Sequence, residues 1–174
     1  MVGREQERYD ERFVHFIVLF NMDEDYFECH EVMEEMWLEE GRNTLYQGLL
    51  QAAVGLHHWR NDNYSGAVKL FTQAENKLAS YPDVLMGLDL GMLRQDMARV
   101  LAPLHSWVNR MVDEGNRASE AAGETVLTKP GPELAGPPPF AAFRLLVQDD
   151  ELRRLVGAMS QIPLEQRLHA EDEL

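Results

Sequence analysis

A strip of very small side chains runs along one predicted helix and limits how that helix can pack. Gly48, Ala52 and Gly55 recur at spacings of four and three, so they share one helical face. Glycine costs a helix roughly 1 kcal/mol relative to alanine, and two glycines on one face indicate that another helix lies very close. The polar turn 60–63 follows, with Asn63 as the predicted N-cap of the next helix. The sequence therefore predicts a tightly packed helical hairpin.

Hydrophobic residues recur with helical spacing along most of the chain. Cap and breaker residues divide this pattern into helices at about 8–20, 26–41, 44–59, 64–80, 90–112 and 151–160. Pro103 is expected to kink or split the helix over 90–112. The hairpin resembles a tetratricopeptide repeat in the offsets of four residues: Gly55, Ala67, Phe71 and Ala74. No second copy of that pattern is present in the sequence. We predict an all-α fold, a helical bundle of about five helices with a tetratricopeptide-like hairpin and a C-terminal extension.

The composition changes after Gly115. Residues 116–140 are rich in Pro, Gly and Ala, which is typical of a linker. We therefore predict a helical bundle core over 1–115, this linker over 116–140, and a C-terminal extension with a short helix over 141–174.

The charge of the chain limits its partners. Its 30 Asp and Glu residues outnumber its 16 Lys and Arg residues, which gives a net charge of −14. Binding of nucleic acid or of an anionic membrane needs clustered basic residues, so we expect neither as a partner. A protein partner or a homo-oligomer stays open. Only three of the basic residues are lysines, a composition that favours a halophilic source or, alternatively, an acidic mesophilic protein from an arginine-rich coding background.

Cysteine content and hydropathy indicate the compartment. Cys29 is the single cysteine, so no internal disulfide can form, and this fits a reducing environment. The sequence contains no run of about 18 apolar residues, and residues 1–7 lack the apolar stretch of a signal peptide. We expect a cytoplasmic protein.

One line of side chains combines aromatic and ionisable groups. Phe27, His30, Glu34 and Trp37 are spaced three, four and three apart, and they therefore share a helical face. Two aromatic rings thus flank a histidine and a carboxylate. His30 and Glu34 are the candidate catalytic residues, because a buried His–Glu pair has pKa values suited to general acid–base catalysis.

Three interpretations of this polar line stay open. A metal ion would take His30 and Glu34 as ligands, with help from His57 or His58 on the next helix. A small-ligand pocket would combine apolar walls and polar groups; its members would be Phe27, Trp37 and Tyr46 with His30, Glu34, Gln47 and Gln51. Alternatively, a buried His30–Glu34 pair bonded to amides on the next helix would fix the register of the two helices without chemistry.

The same residues carry a family resemblance. The pattern F-x-x-H-E-x-x-E-x-x-W over 27–37, the segment 46–58, and Gly66-Ala67 are similar to the prokaryotic family called domain of unknown function 309. The resemblance covers about residues 10–100. It implies an all-α bundle and no established activity, and the segment beyond Gly115 departs from it.

These observations leave the function unassigned. The composition and the polar line favour a non-enzymatic interaction or scaffold domain with an internal His–Glu cluster. The alternative is a small-ligand or metal-dependent enzyme that uses the face from Phe27 to Trp37. No cofactor follows from the sequence, and whether the protein is an enzyme stays open.

Overall fold

The computed structural model describes residues 9–120 and 136–172, and these form an all-α fold. Its helices are α1 (Glu11–Val18), α2 (Tyr26–Glu39), α3 (Thr44–Arg60), α4 (Tyr64–Leu78), α5 (Leu90–Glu120), α6 (Asp150–Ser160) and α7 (Leu164–Asp172). A π-helical turn, Leu19–Asp23, extends α1, and an antiparallel hairpin of β1 (Val84–Leu85) and β2 (Leu88–Asp89) precedes α5. The predicted all-α class is confirmed. Within the described residues, no helix is both long enough and apolar enough to cross a membrane.

Short polar side chains start six of these helices. The six N-caps, each accepting a hydrogen bond from a backbone N–H in the first turn of its helix, are Asp10, Asp25, Asn43, Asn63, Asp89 and Asp149. Each cap satisfies one of the donors that a helix N-terminus leaves without an intrahelical partner. The cap predicted at Asn63 is confirmed, and its side-chain oxygen accepts that bond at 3.0 Å.

Side chains of α4 pack directly against the backbone of α3 at two glycines. A Cβ atom added to Gly48 would lie 2.7 Å from Leu78, and one added to Gly55 would lie 2.7 Å from the ring of Phe71. Real Cβ contacts are essentially never that short, so a side chain at either position would force Leu78 or Phe71 to move. The tightly packed hairpin predicted from the strip of small residues is confirmed. Its likeness to a tetratricopeptide repeat stays a prediction.

The C-terminal segment packs into the same core. Phe143 and Leu145 are 5% and 3% exposed, and the ring centroid of Phe143 lies 6.0 Å from those of Phe20 and Phe71. The side chain of Asn21 donates to the carbonyl of Leu145 and accepts from its N–H, both at 2.8 Å. The extension therefore contacts the helical bundle through both side chains and backbone.

Further contacts hold the rest of this extension. Val147 forms an antiparallel bridge with Leu88 of β2, and α6 packs on α1 with Leu152 fully buried. In α7, the buried guanidinium of Arg167 lies 2.8 Å from the carboxylate of Asp23. The extension thus has two helices where the sequence predicted one, and the division into core, linker and extension stays a prediction.

The helix α5 is longer than the sequence indicated. It continues from Leu90 to Glu120 through Pro103 and is not split there. Pro103 is exposed, so the carbonyl that loses its hydrogen-bond donor can bind water instead. The first residues of the predicted linker, 116–120, are therefore helical, and 121–135 lie outside the described residues.

Candidate functional site

Two lines of side chains with identical spacing run along α2. Tyr26, Cys29, Met33 and Met36 are each 0% exposed and form the face that enters the core. The predicted polar line follows each of these residues by one position, which places it about 100° around the helix. The core therefore takes the apolar line, and the polar line lies beside it.

The polar line is partly exposed to solvent. Phe27 is 55% exposed, and the side chains of His30 and Glu34 are 34% and 44% exposed. Trp37 is half-buried, and the guanidinium of Arg42 lies 5.2 Å from its ring centroid. The prediction of an internal His–Glu cluster is therefore wrong, because the neighbouring apolar side chains fill the interior in its place.

The structure adds Glu31 to the His–Glu pair. His30 Nε2 lies 3.2 Å from a carboxylate oxygen of Glu34, and His30 Nδ1 lies 3.4 Å from a carboxylate oxygen of Glu31. One donor atom from each of the three residues can be chosen so that all lie within 4.8 Å of one another. The sequence did not single out Glu31, because its spacings to Glu28 and Glu35 are typical of a solvated helix face. The signal that could have found it is its place next to His30.

The two histidines near the end of α3 differ in their surroundings. The ring of His57 lies 6.1 Å from that of Phe27 on α2, so the structure brings His57 to the edge of the polar line. His58 Nδ1 lies 3.1 Å from the amide nitrogen of Asn63, in the turn before α4. His57 and His58 were both predicted as additional metal ligands from α3. Of these two, the structure places His57 against Phe27 of the polar line.

The remaining predicted pocket residues are distributed along α3. The buried amide of Gln51 donates to Gln73 on α4 at 3.1 Å, so this side chain is directed toward α4. Tyr46 is 6% exposed, and burial together with the nearby charge of Glu40 raises its pKa. Gln47 is half-buried. A single pocket that joins these three residues to His30 stays a prediction.

Burial lowers the pKa of His57 below its usual value of 6.5, and the nearby His58 and Arg60 lower it further. At neutral pH this imidazole is therefore unprotonated, which is the form that binds metal ions.

We expect an NMR titration to give a pKa below 6.5 for His57, and we expect His58→Gln to raise that pKa by removing a neighbouring positive charge. Because the pKa of His57 is lower in the folded protein, the unfolded chain binds a proton at higher pH than the folded chain does. The contribution of His57 to the free energy of unfolding is therefore fully present above pH 6.5 and is lost as the pH falls through the folded pKa. As a control, His105→Gln on α5 should leave the titration unchanged. A His57 pKa at or above 6.5 would contradict this environment.

The chain is similar to proteins without an assigned function. The uncharacterized protein YpuF of Bacillus subtilis (strain 168) is 36% identical over 101 residues, which cover 53% of this chain and 56% of YpuF. An uncharacterized protein of Aquifex aeolicus (strain VF5) is 32% identical over 80 residues, which cover 44% of this chain and 24% of that protein. The chain thus spans about half of the first relative and a quarter of the second.

A family model described as "Domain of unknown function (DUF309)" matches residues 13–70, from α1 into α4. This segment contains His30, Glu31, Glu34 and His57. The resemblance predicted from the sequence is confirmed over residues 13–70, where the chain matches the model of the domain of unknown function 309 family.

Proposed function

We propose that this protein binds a divalent transition-metal ion through His30, Glu31 and Glu34. The observation that carries this proposal is the grouping of one donor atom from each residue within 4.8 Å on α2. Imidazole nitrogen and carboxylate oxygen are donors that Zn²⁺ and related ions use in proteins. Small side-chain movements would bring the three donors to metal–ligand distances of about 2.0–2.2 Å.

The exposure of these residues supports a binding role over a structural one. The side chains of His30, Glu31 and Glu34 are 34%, 55% and 44% exposed. Ion pairs at such positions contribute about 0–1 kcal/mol to stability, so the fold does not depend on them. The net charge of −14 also attracts cations toward the surface.

A metal ion held by three protein ligands keeps a coordination position for water or a substrate. Such an ion acts as a Lewis acid and lowers the pKa of its bound water. His57 and the exposed ring of Phe27 lie against each other at the edge of the polar line, and they would form one wall of a substrate site. A metal-dependent enzyme is therefore the activity that this site would support.

A second candidate function is an interaction or scaffold domain. Phe27 and Leu38 on α2 are 55% and 52% exposed. With Glu31 and Glu34 they follow spacings of four, three and four, so all four residues share one face of the helix. Two exposed apolar side chains that flank two carboxylates favour contact with a partner protein or with a second copy of the chain.

We also propose a cytoplasmic protein that binds neither nucleic acid nor membranes. The net charge of −14 supports the absence of anionic partners, and the single buried cysteine, Cys29, fits a reducing compartment.

Calorimetric titration of chelator-treated protein with Zn²⁺ and Mn²⁺ tests the metal site. We expect one saturable site, and we expect His30→Ala or Glu34→Gln to weaken binding at least about tenfold, which corresponds to about 1.4 kcal/mol. Urea unfolding of the metal-free variants should change by less than about 1 kcal/mol, because the lost ion pairs are exposed.

Two matched variants control for nonspecific binding to an acidic surface. His105→Ala and Glu114→Gln remove the same chemical groups from exposed positions on α5, and both should keep the affinity of the unmodified protein. Absence of saturable binding, or equal weakening by the controls, would reject the metal site and leave the interaction domain as the proposed function.

A further inference from the structure

A cavity lies between the α3–α4 turn and the second half of α5. Its volume is about 330 Å³, and its lining includes Asp62, Tyr64, Trp107, Met111 and Val112. Small-molecule pockets in proteins begin at about 300 Å³. This cavity is separate from the three donors on α2, so it needs an explanation independent of the metal site.

Two aromatic rings form a corner of this cavity. The ring centroids of Tyr64 and Trp107 are 6.3 Å apart, and their planes are inclined at 77°. Nearly perpendicular rings present two walls to a guest in the corner between them. The faces of Trp and Tyr rings carry negative electrostatic potential and attract cations, and Trp does so most strongly.

A carboxylate stands beside the aromatic corner. Asp62 Oδ1 accepts a hydrogen bond from the hydroxyl of Tyr64 at 2.9 Å. The backbone of Asp62 is left-handed, with φ of 62°, and its N–H donates to the carbonyl of Trp59 at 3.1 Å. The tight turn between α3 and α4 therefore holds a negative charge at the edge of the cavity.

A cation of the protein itself already lies near this corner. The guanidinium carbon of Arg110 is 5.9 Å from the ring centroid of Trp107. This distance is within the range of about 6 Å in which a cation is attracted to an aromatic ring. A ligand cation at Trp107 would therefore share the ring with Arg110 or displace its guanidinium.

We propose that this corner binds a small organic cation that bears a methylated, quaternary ammonium group. Such a group donates no hydrogen bonds, so it is recognised by aromatic faces and a nearby anion, and Tyr64, Trp107 and Asp62 supply both. The methyl groups of the ligand would contact Met111 and Val112, which line the same cavity. The proposal is independent of the metal site, because it uses none of its residues.

Titration with choline followed by saturation-transfer NMR, at constant ionic strength, tests this proposal. The uncharged isostere 3,3-dimethylbutan-1-ol has the same shape without the positive charge, and it should bind at least about fivefold more weakly if the cation–π attraction operates. Trp107→Leu should weaken choline binding at least about fivefold, because it removes the ring that attracts cations most strongly.

Two further variants separate the local carboxylate from the general acidity of the chain. Asp62→Asn should weaken choline binding at least about threefold, and asparagine tolerates the left-handed backbone at this position. Asp113→Asn removes one negative charge from the exposed surface of α5 and should leave the affinity unchanged. Equal binding of the uncharged isostere, unchanged affinity in Trp107→Leu or Asp62→Asn, or no saturable choline binding would each overturn the proposal.

Discussion

Replacing Gly55 with valine is expected to destabilise the protein by about 3 kcal/mol, within the range measured for overpacked cores. The first added carbon alone would lie 2.7 Å from two ring carbons of Phe71. That ring is 0% exposed, and it packs against Phe143 with 6.0 Å between centroids. Because Phe71 is fully buried, the new side chain requires its ring to shift within the core or α3 and α4 to move apart.

Urea unfolding followed by circular dichroism measures this effect. Gly157→Ala on α6 is the matched control, since its added Cβ would have no atom within 4 Å. Alanine favours a helix over glycine by about 0.5–1 kcal/mol, so the control should be slightly more stable than the unmodified protein. If Gly55→Val were neutral, the close approach of α3 and α4 would be refuted.

Truncating Phe143 to alanine is expected to cost about 3–5 kcal/mol, as large-to-small changes of buried aromatic residues do. Phe143 is 5% exposed and packs against Phe20 in the π-helical turn after α1 and against Phe71 on α4. Its removal would leave a cavity between these two elements. The expected loss therefore reaches the helical bundle even though the residue belongs to the C-terminal extension.

The neighbouring Leu146 provides the control for Phe143. Its side chain is 43% exposed, so Leu146→Ala should change the free energy of unfolding by less than about 0.5 kcal/mol. Unfolding of the unmodified protein should also be a single cooperative transition, because bundle and extension share one core. Two separate transitions, or equal effects of the two substitutions, would show that the extension folds apart from the bundle.

The local structure was predictable because its signals lie close together in the sequence. Gly48 and Gly55 mark a close helix contact through their spacing alone, and Asn63 marks a helix start through its chemistry. The distant contacts had no such signal. Asn21 binds the backbone of Leu145 across 124 residues, and helical periodicity carries no information about which separate segments meet.

The candidate site was predicted in part, and the error has a physical cause. Met33 and Glu34 belong to two lines on α2 that have the same three-four-three spacing, so spacing could not decide which line is buried. The chemistry of the side chains decides which of the two lines is buried. Burying a charged carboxylate without a full set of partners costs several kcal/mol, whereas burying methionine is favourable. The polar line therefore stays at the surface, where its groups are accessible to a ligand.

An anomalous-difference map of crystals soaked in Mn²⁺ or Zn²⁺ tests the proposed metal site most directly. We predict one strong peak on α2, at about 2.0–2.2 Å from a nitrogen of His30 and from carboxylate oxygens of Glu31 and Glu34. The same peak should be absent from crystals of His30→Ala. A saturating soak that leaves these three side chains without a peak, or that gives an unchanged peak in His30→Ala, would contradict the proposed metal site.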